Sequence, residues 1–130
     1  MEIAFLALED VIALHDELIQ RYAGSQGLCD AGLLEAALAM PQAGFGGHYF
    51  HEFPHEMGAA YLFHLVRNHA FVDGNKRVAL ACAILFFKIN RVSYSITEEE
   101  AVELTLEAAN GQIDKGAIAE FFRKHLKKQR

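Results

Sequence analysis

Cysteine is scarce in this chain, with only Cys29 and Cys82 among 130 residues, and neither has a CxxC partner or metal-ligand spacing. That argues against a disulfide framework or a zinc cluster and fits a reducing compartment. Basic residues are also few. Seventeen acids against twelve Lys and Arg give −5 at neutral pH, the wrong sign for a protein held to nucleic acid by phosphate neutralisation. Five of the twelve bases, Arg123, Lys124, Lys127, Lys128 and Arg130, crowd the last eight residues, so the body is more acidic than the total. There they suit the negative end of a helix dipole. Long hydrophobic runs are missing too: the longest, Val78 to Phe87, falls well short of the ~20 residues a membrane helix needs. The first base is Arg21, so Met1 to Asp10 has no basic n-region and does not resemble a secretory signal. These absences predict a cytoplasmic protein with no direct nucleic-acid or membrane partner.

What is present is apolar material. The chain is 52% hydrophobic and 22% charged, enough to bury a core and too much for intrinsic disorder. Its length fits a single domain over residues 1–130. Leu8, Val11, Ile12, His15, Leu18, Ile19 and Tyr22 recur at helical spacing before Gly24, predicting a helix over 8–22. His15 lies on that apolar stripe and reads as a satisfied, partly buried histidine. Asp30 caps a second helix that Pro41 ends near Met40. Gly44 to His51 is glycine-rich with interleaved aromatics and reads as an exposed flap without strands. Pro54 suits the first turn of a third helix reaching Asn68. The fourth runs from Asn75 to about Asn90, and being apolar nearly all round it should be the buried centre. Thr97 with Glu100 is a capping box for a fifth helix that Gly111 closes, and Asp114 caps a sixth reaching Lys127. The predicted architecture is all-α, a compact six-helix fold.

Two motif-like segments are decoys. His51-Glu52-Phe53-Pro54-His55 matches H-E-x-x-H, yet Pro54 prevents the two histidines from sharing one helical face. Gly44-Phe45-Gly46-Gly47 lacks the Gly-Lys-Ser/Thr of a P-loop. His64 reads as a packing residue, and the run Glu98, Glu99, Glu100, Glu103, Glu107 as a solvated face at a helix start.

Polar density concentrates instead in His69-Ala70-Phe71-Val72-Asp73-Gly74-Asn75-Lys76-Arg77, between two apolar helices. A helix opening near Asn75 aims unpaired N–H groups and positive dipole at the loop, which suits an anion. Gly74 permits a tight turn and close approach, while Lys76 and Arg77 add cations. A carboxylate at Asp73 would repel phosphate unless a cation bridges them, and Mg²⁺ does this in nucleotide sites. His69 offers an imidazole nitrogen that could accept a proton from a hydroxyl. These are the parts of phosphoryl or nucleotidyl transfer. Spacing alone leaves open a plainer reading, in which Asp73 caps the helix, Phe71 fills the core and the cations are solvated.

The pattern His-x-Phe-x-Asp-Gly-Asn-Lys-Arg resembles the motif of the Fic/Doc superfamily, in its death-on-curing branch. The likeness extends to Ser25 through Glu35 and to Phe45-Gly46-Gly47. The resemblance implies a compact all-α toxin of a toxin-antitoxin system that uses ATP and Mg²⁺. His69 would be the general base, Phe71 a loop anchor and Asp73 the metal ligand, with Gly74, Asn75, Lys76 and Arg77 cradling the phosphates. A flap including Phe45, Gly46, Gly47 and Tyr49 would dock the target. The implied reaction is phosphorylation of a threonine on translation elongation factor Tu, inhibiting translation. AMP-transferring relatives resemble His-Pro-Phe-x-x-Gly-Asn-Gly-Arg-x-x-Arg, whereas this chain has Ala70, Lys76 and Leu80 at the variable points. Lysine in place of glycine closes the open backbone approach, which favours γ-phosphoryl transfer. Nucleotidyl transfer and a non-catalytic binding role are the alternatives. Cys29 stands where the branch commonly has arginine. The inhibitory Ser/Thr-x-x-x-Glu-Gly/Asn element has no clear match, the nearest being Ser95 to Glu99 followed by Glu100. Restraint is therefore expected in trans from an antitoxin.

Overall fold

A computed structural model describes residues 2–127, so Met1, Lys128 and Arg130 of the segments discussed above lie outside the described residues. The elements in chain order are α1 (Leu8–Tyr22), α2 (Ala31–Ala39), β1 (Gly44–Phe45), β2 (His48–Tyr49), α3 (His55–Asn68), α4 (Asn75–Ile89), α5 (Glu98–Ala109) and α6 (Lys115–His125). The architecture is mostly α, as the periodicities predict. Helix starts follow the caps: Asp30 accepts from the Leu33 N–H, Asp114 from the Ala117 N–H, and Thr97 and Glu100 close a full capping box. Each satisfies amides that an α-helix leaves unpaired at its first turn.

Two local expectations need correction. The Gly44–His51 segment contains strands: β1 and β2 pair antiparallel, Gly44 opposite Tyr49 and Phe45 opposite His48. Gly46 and Gly47 turn between them with φ of 61° and 83°, the left-handed torsions that a two-residue hairpin turn requires. The sixth helix also stops at His125 rather than Lys127. The chain there turns extended at Leu126 and bridges to Tyr94, with Ser95 N–H donating to the His125 carbonyl and Lys127 N–H to the Ser93 carbonyl, both at 2.8 Å. Arg123, Lys124 and His125 still occupy the last turn of α6, where the dipole favours cations.

The core is one contiguous cluster drawing on all six helices. α4 buries Val78, Ala79, Cys82, Ala83, Phe86 and Phe87, as its apolar run predicts, and it shares the centre with α3. That helix touches α2, α4, α5 and α6 and buries eight of its residues, Tyr61 among them. Gly58 lets the two helices approach, since a Cβ there would collide with the Phe87 ring. Tyr61 is fully buried, its hydroxyl accepts the Leu6 N–H at 2.9 Å, and burial pushes its pKa up to about 12. Burial likewise pushes the Cys82 thiol up to about 12, which keeps it protonated and inert. No helix among the described residues is long and apolar enough to cross a membrane. The consequence for function is positional: two packed helices meet at a loop, residues 69–74, whose ends are fixed by the core.

Candidate active site at the start of the fourth helix

α3 ends at Asn68, and His69 follows in the left-handed region at φ 50°, ψ 48°. A non-glycine residue held there is strained, and such strain clusters at functional sites. The turn leaves the His69 side chain exposed while Ala70 and Phe71 go back into the core. A second strip of chain locks the loop: Cys29 and Asp30 N–H donate to the Ala70 carbonyl at 2.8 and 3.2 Å, and Val72 N–H donates to Gly27 O at 3.0 Å. The Ser25–Glu35 segment therefore acts as the loop's backbone partner. Cys29 is exposed and contributes its amide.

Asp73 does not cap α4. Its carboxylate accepts the Ser25 N–H at 3.2 Å and the Gly74 N–H at 2.8 Å. Those two backbone donors, with Arg77 and His15 adding positive field, hold it below the usual carboxylate range. The N-cap of α4 is Gly74 at φ 78°, which offers no side-chain bond. The plainer reading of Asp73 as helix cap fails on this geometry, and the first-turn amides are left without a side-chain cap. Gly24 matters for the same carboxylate: at φ 134° a Cβ on it would stand 2.8 Å from Asp73 Oδ2.

Asn75 behaves differently from expectation. Its Oδ1 accepts the Phe71 N–H at 3.1 Å and its Nδ2 donates to the Phe71 carbonyl at 2.9 Å. With one bond at each end of the amide, the side chain buttresses the loop, while the second Nδ2 hydrogen and the backbone N–H remain for an anion. Lys76 is exposed, and the Arg77 guanidinium stacks 4.8 Å from the Tyr22 ring centre, a cation–π contact that fixes its direction.

His69, Asp73, Gly74, Asn75, Lys76 and Arg77 all line one cavity of about 690 Å³, whose far wall is apolar, including Leu80, Val102 and Leu106. That size suits a small-molecule site. A neighbouring concavity of about 890 Å³ on α5 is lined by Glu98, Glu99, Glu103 and Glu107, the wrong sign for a nucleotide. The structure thus brings the six motif residues together. The hairpin stays apart: Phe45, Gly46, Gly47 and Tyr49 do not line the cavity. Phe45 is 83% exposed, and Tyr49 leans on Phe5 at 5.6 Å between ring centres.

The partners in two histidine clusters escaped the sequence reading. His15 is 3% exposed, lies 2.6 Å from the Asp73 carbonyl and stacks on Phe71 at 3.7 Å. Elsewhere, Lys115 donates to Nε2 of His51 at 3.0 Å and of His64 at 3.1 Å, tying the root of the hairpin to α3 and α6. An ammonium only donates, so both rings carry their proton on Nδ1. The His51 Nδ1 is buried, and the Met40 carbonyl supports it without reaching hydrogen-bond geometry. Of the H-E-x-x-H pattern, His55 opens α3 and pairs with Glu52 at 3.2 Å, so the two histidines share no helix. Apolar periodicity flags His15 as a satisfied, partly buried histidine, which its burial bears out; only folding could pair it with Asp73.

A mostly α frame sets an uncapped helix start, a carboxylate held by backbone donors and an exposed imidazole around one cavity, and comparison with known proteins supplies the class. The Fic/DOC family model matches residues 5–87, and the chain belongs to that family. Among curated relatives, it is similar to the "Protein kinase doc" of Escherichia phage P1, 38% identical over 116 residues that cover 89% of this chain and 90% of that protein. It is also similar to the "Toxin Doc" of Mycolicibacterium smegmatis, 40% identical over 100 residues, 75% of this chain and 77% of the relative.

Proposed function

We propose that this chain is a Doc-type toxin acting in the cytoplasm as an ATP-dependent protein kinase. It transfers the γ-phosphate to a threonine hydroxyl of a protein target, with translation elongation factor Tu as the leading target and arrest of translation as the result. The observation that carries this reading is the α4 start: a first turn without a side-chain cap, beside a carboxylate held ionised by backbone donors, in one cavity with an exposed imidazole. The relative's name, a protein kinase, supports the reaction class.

In this reading His69 accepts the proton as the target oxygen attacks the γ-phosphorus, and the bond to the β,γ-bridging oxygen breaks to release ADP. Asp73 fits a Mg²⁺ ligand, since the ion takes one or two carboxylates and fills its shell with water and phosphate oxygens. Once bound, Mg²⁺ neutralises phosphate charge. The Gly74 turn and the α4 amides receive phosphate oxygens, Lys76 and Arg77 add charge, and Asn75 holds the loop rigid through Phe71. The exposed aromatic tip around Phe45, with Gly46, Gly47 and Tyr49, docks the target segment. A cognate antitoxin supplies inhibition in trans.

Incubating the protein with purified elongation factor and ATP labelled at the α or γ phosphate tests the reading. Retained γ label, lost in His69→Ala by about 10²–10⁴ in rate, is the expected result. Retained α label would replace the kinase with a nucleotidyl transferase. Label from neither, with growth arrest unchanged in His69→Ala, would leave a binding protein.

A further inference from the structure

The peptide joining Asp73 to Gly74 is placed to set the aim of the Asp73 carboxylate, since its N–H is one of that carboxylate's two backbone donors. Its carbonyl oxygen lies 2.6 Å from His15 Nε2. A carbonyl only accepts, so Nε2 carries the proton and donates. The sole cis bond among the described residues is Phe53–Pro54, so this peptide is trans, with C=O and N–H pointing in opposite directions. Holding the carbonyl down on α1 therefore turns the Gly74 N–H away from it, where it meets Asp73 Oδ1 at 2.8 Å.

Nothing in the torsions of Gly74 itself enforces that choice, because glycine occupies positive and negative φ with similar ease. A flipped peptide would turn the carbonyl oxygen away from α1 and release the Asp73 carboxylate from the Gly74 N–H. What opposes the flip is packing from α1. A Cβ on Gly74 would stand 3.1 Å from Ile19 Cδ1 and 3.3 Å from His15 Nε2, so the two α1 residues form the floor beneath the turn. The same imidazole stacks on Phe71, nearly parallel at 11°. One buried ring thus holds both the anchor and the last peptide of the loop.

We infer that His15 is a positioning residue: its Nε2–H fixes the orientation of the Asp73–Gly74 peptide, and with it the Gly74 N–H that holds the aim of the Asp73 carboxylate. This rests on the reading of the cavity as a nucleotide site. A histidine that merely filled the core would be replaceable by any apolar group of similar volume.

The test compares wild type with His15→Leu, which fills space without a donor, and His15→Gln, whose Nε2 can replace the lost donor. His15→Phe substitutes for His15→Leu should that chain not fold. Calorimetric binding of Mg²⁺ with a non-hydrolysable ATP analogue should weaken roughly tenfold in His15→Leu, the scale of one lost hydrogen bond, and recover in His15→Gln. A crystal structure of the apolar variant should show the Asp73 carbonyl turned away from α1. Wild-type affinity in the apolar variant, failure of His15→Gln to recover it, or an unmoved Asp73 carbonyl would overturn the assignment. Absence of analogue binding in the wild type would instead refute the nucleotide-site reading, and the crystal structure would still decide what His15 does.

Discussion

Protonating His64 should loosen the protein between neutral pH and about pH 4. The ring is partly buried beside Lys115 and His51, and desolvation first, then those two neighbours, push its pKa down from 6.5 to about 4. The unfolded chain binds a proton near 6.5 while the folded chain refuses it, so the unfolded state holds more protons across that window. Stability is then fully present above pH 6.5 and falls as pH drops towards 4. Lowering from 6.5 to about 4 corresponds to about 3.4 kcal/mol at full extent. At pH 5 the two binding curves give about 2 kcal/mol, which solvent screening of a part-exposed ring reduces to about 1 kcal/mol. Carboxylates held low, Asp73, Glu100 and Glu120, lose their contribution only nearer the carboxylate range. His51 shifts in the same direction as His64, so a variant is needed to isolate His64. Urea unfolding of wild type and His64→Gln at pH 7 and pH 5 provides it, the glutamine keeping an acceptor for Lys115 without titrating. Wild type should lose about 1 kcal/mol more than the variant between the two pH values. Equal losses would refute the account.

Two further substitutions address the frame around the site. Gly24→Ala places a Cβ against Asp73 Oδ2 in a left-handed backbone position; it should cost about 1–3 kcal/mol and weaken Mg²⁺ binding by calorimetry, and unchanged values for both would show that the close approach is unimportant. Gly58→Ala gains about 1 kcal/mol of helix propensity but drives a methyl into the fully buried Phe87 ring. Overpacking of about 1–3 kcal/mol should dominate and lower the melting temperature by several degrees, whereas a rise would mean that α3 and α4 can part at little cost.

Much of the frame was legible from neighbours in the chain. Asp30, Thr97 and Asp114 cap the helices that follow them because a side-chain oxygen reaches amides only two or three residues ahead. The motif residues share a cavity because they are consecutive across one helix junction. The hairpin was missed because two-residue strands carry no alternation to detect, and the end of α6 because its competing partner, Tyr94, lies far back in the chain. Asn75 illustrates a subtler limit: its type and position suit a phosphate contact, yet only the fold shows that its amide also closes two bonds to the Phe71 backbone.

Local chemistry in the sequence therefore settled the helices, the site's position and the residue types available there, since each depends on groups a few bonds apart. Tertiary structure alone decided what those groups face. His15 meets Asp73 across 58 positions, and Lys115 reaches His64 and His51 across 51 and 64. Such pairs form only because burying apolar helix faces brings distant polar atoms to hydrogen-bonding distance, where an unpaired group would be costly, and no spacing along the chain records that geometry.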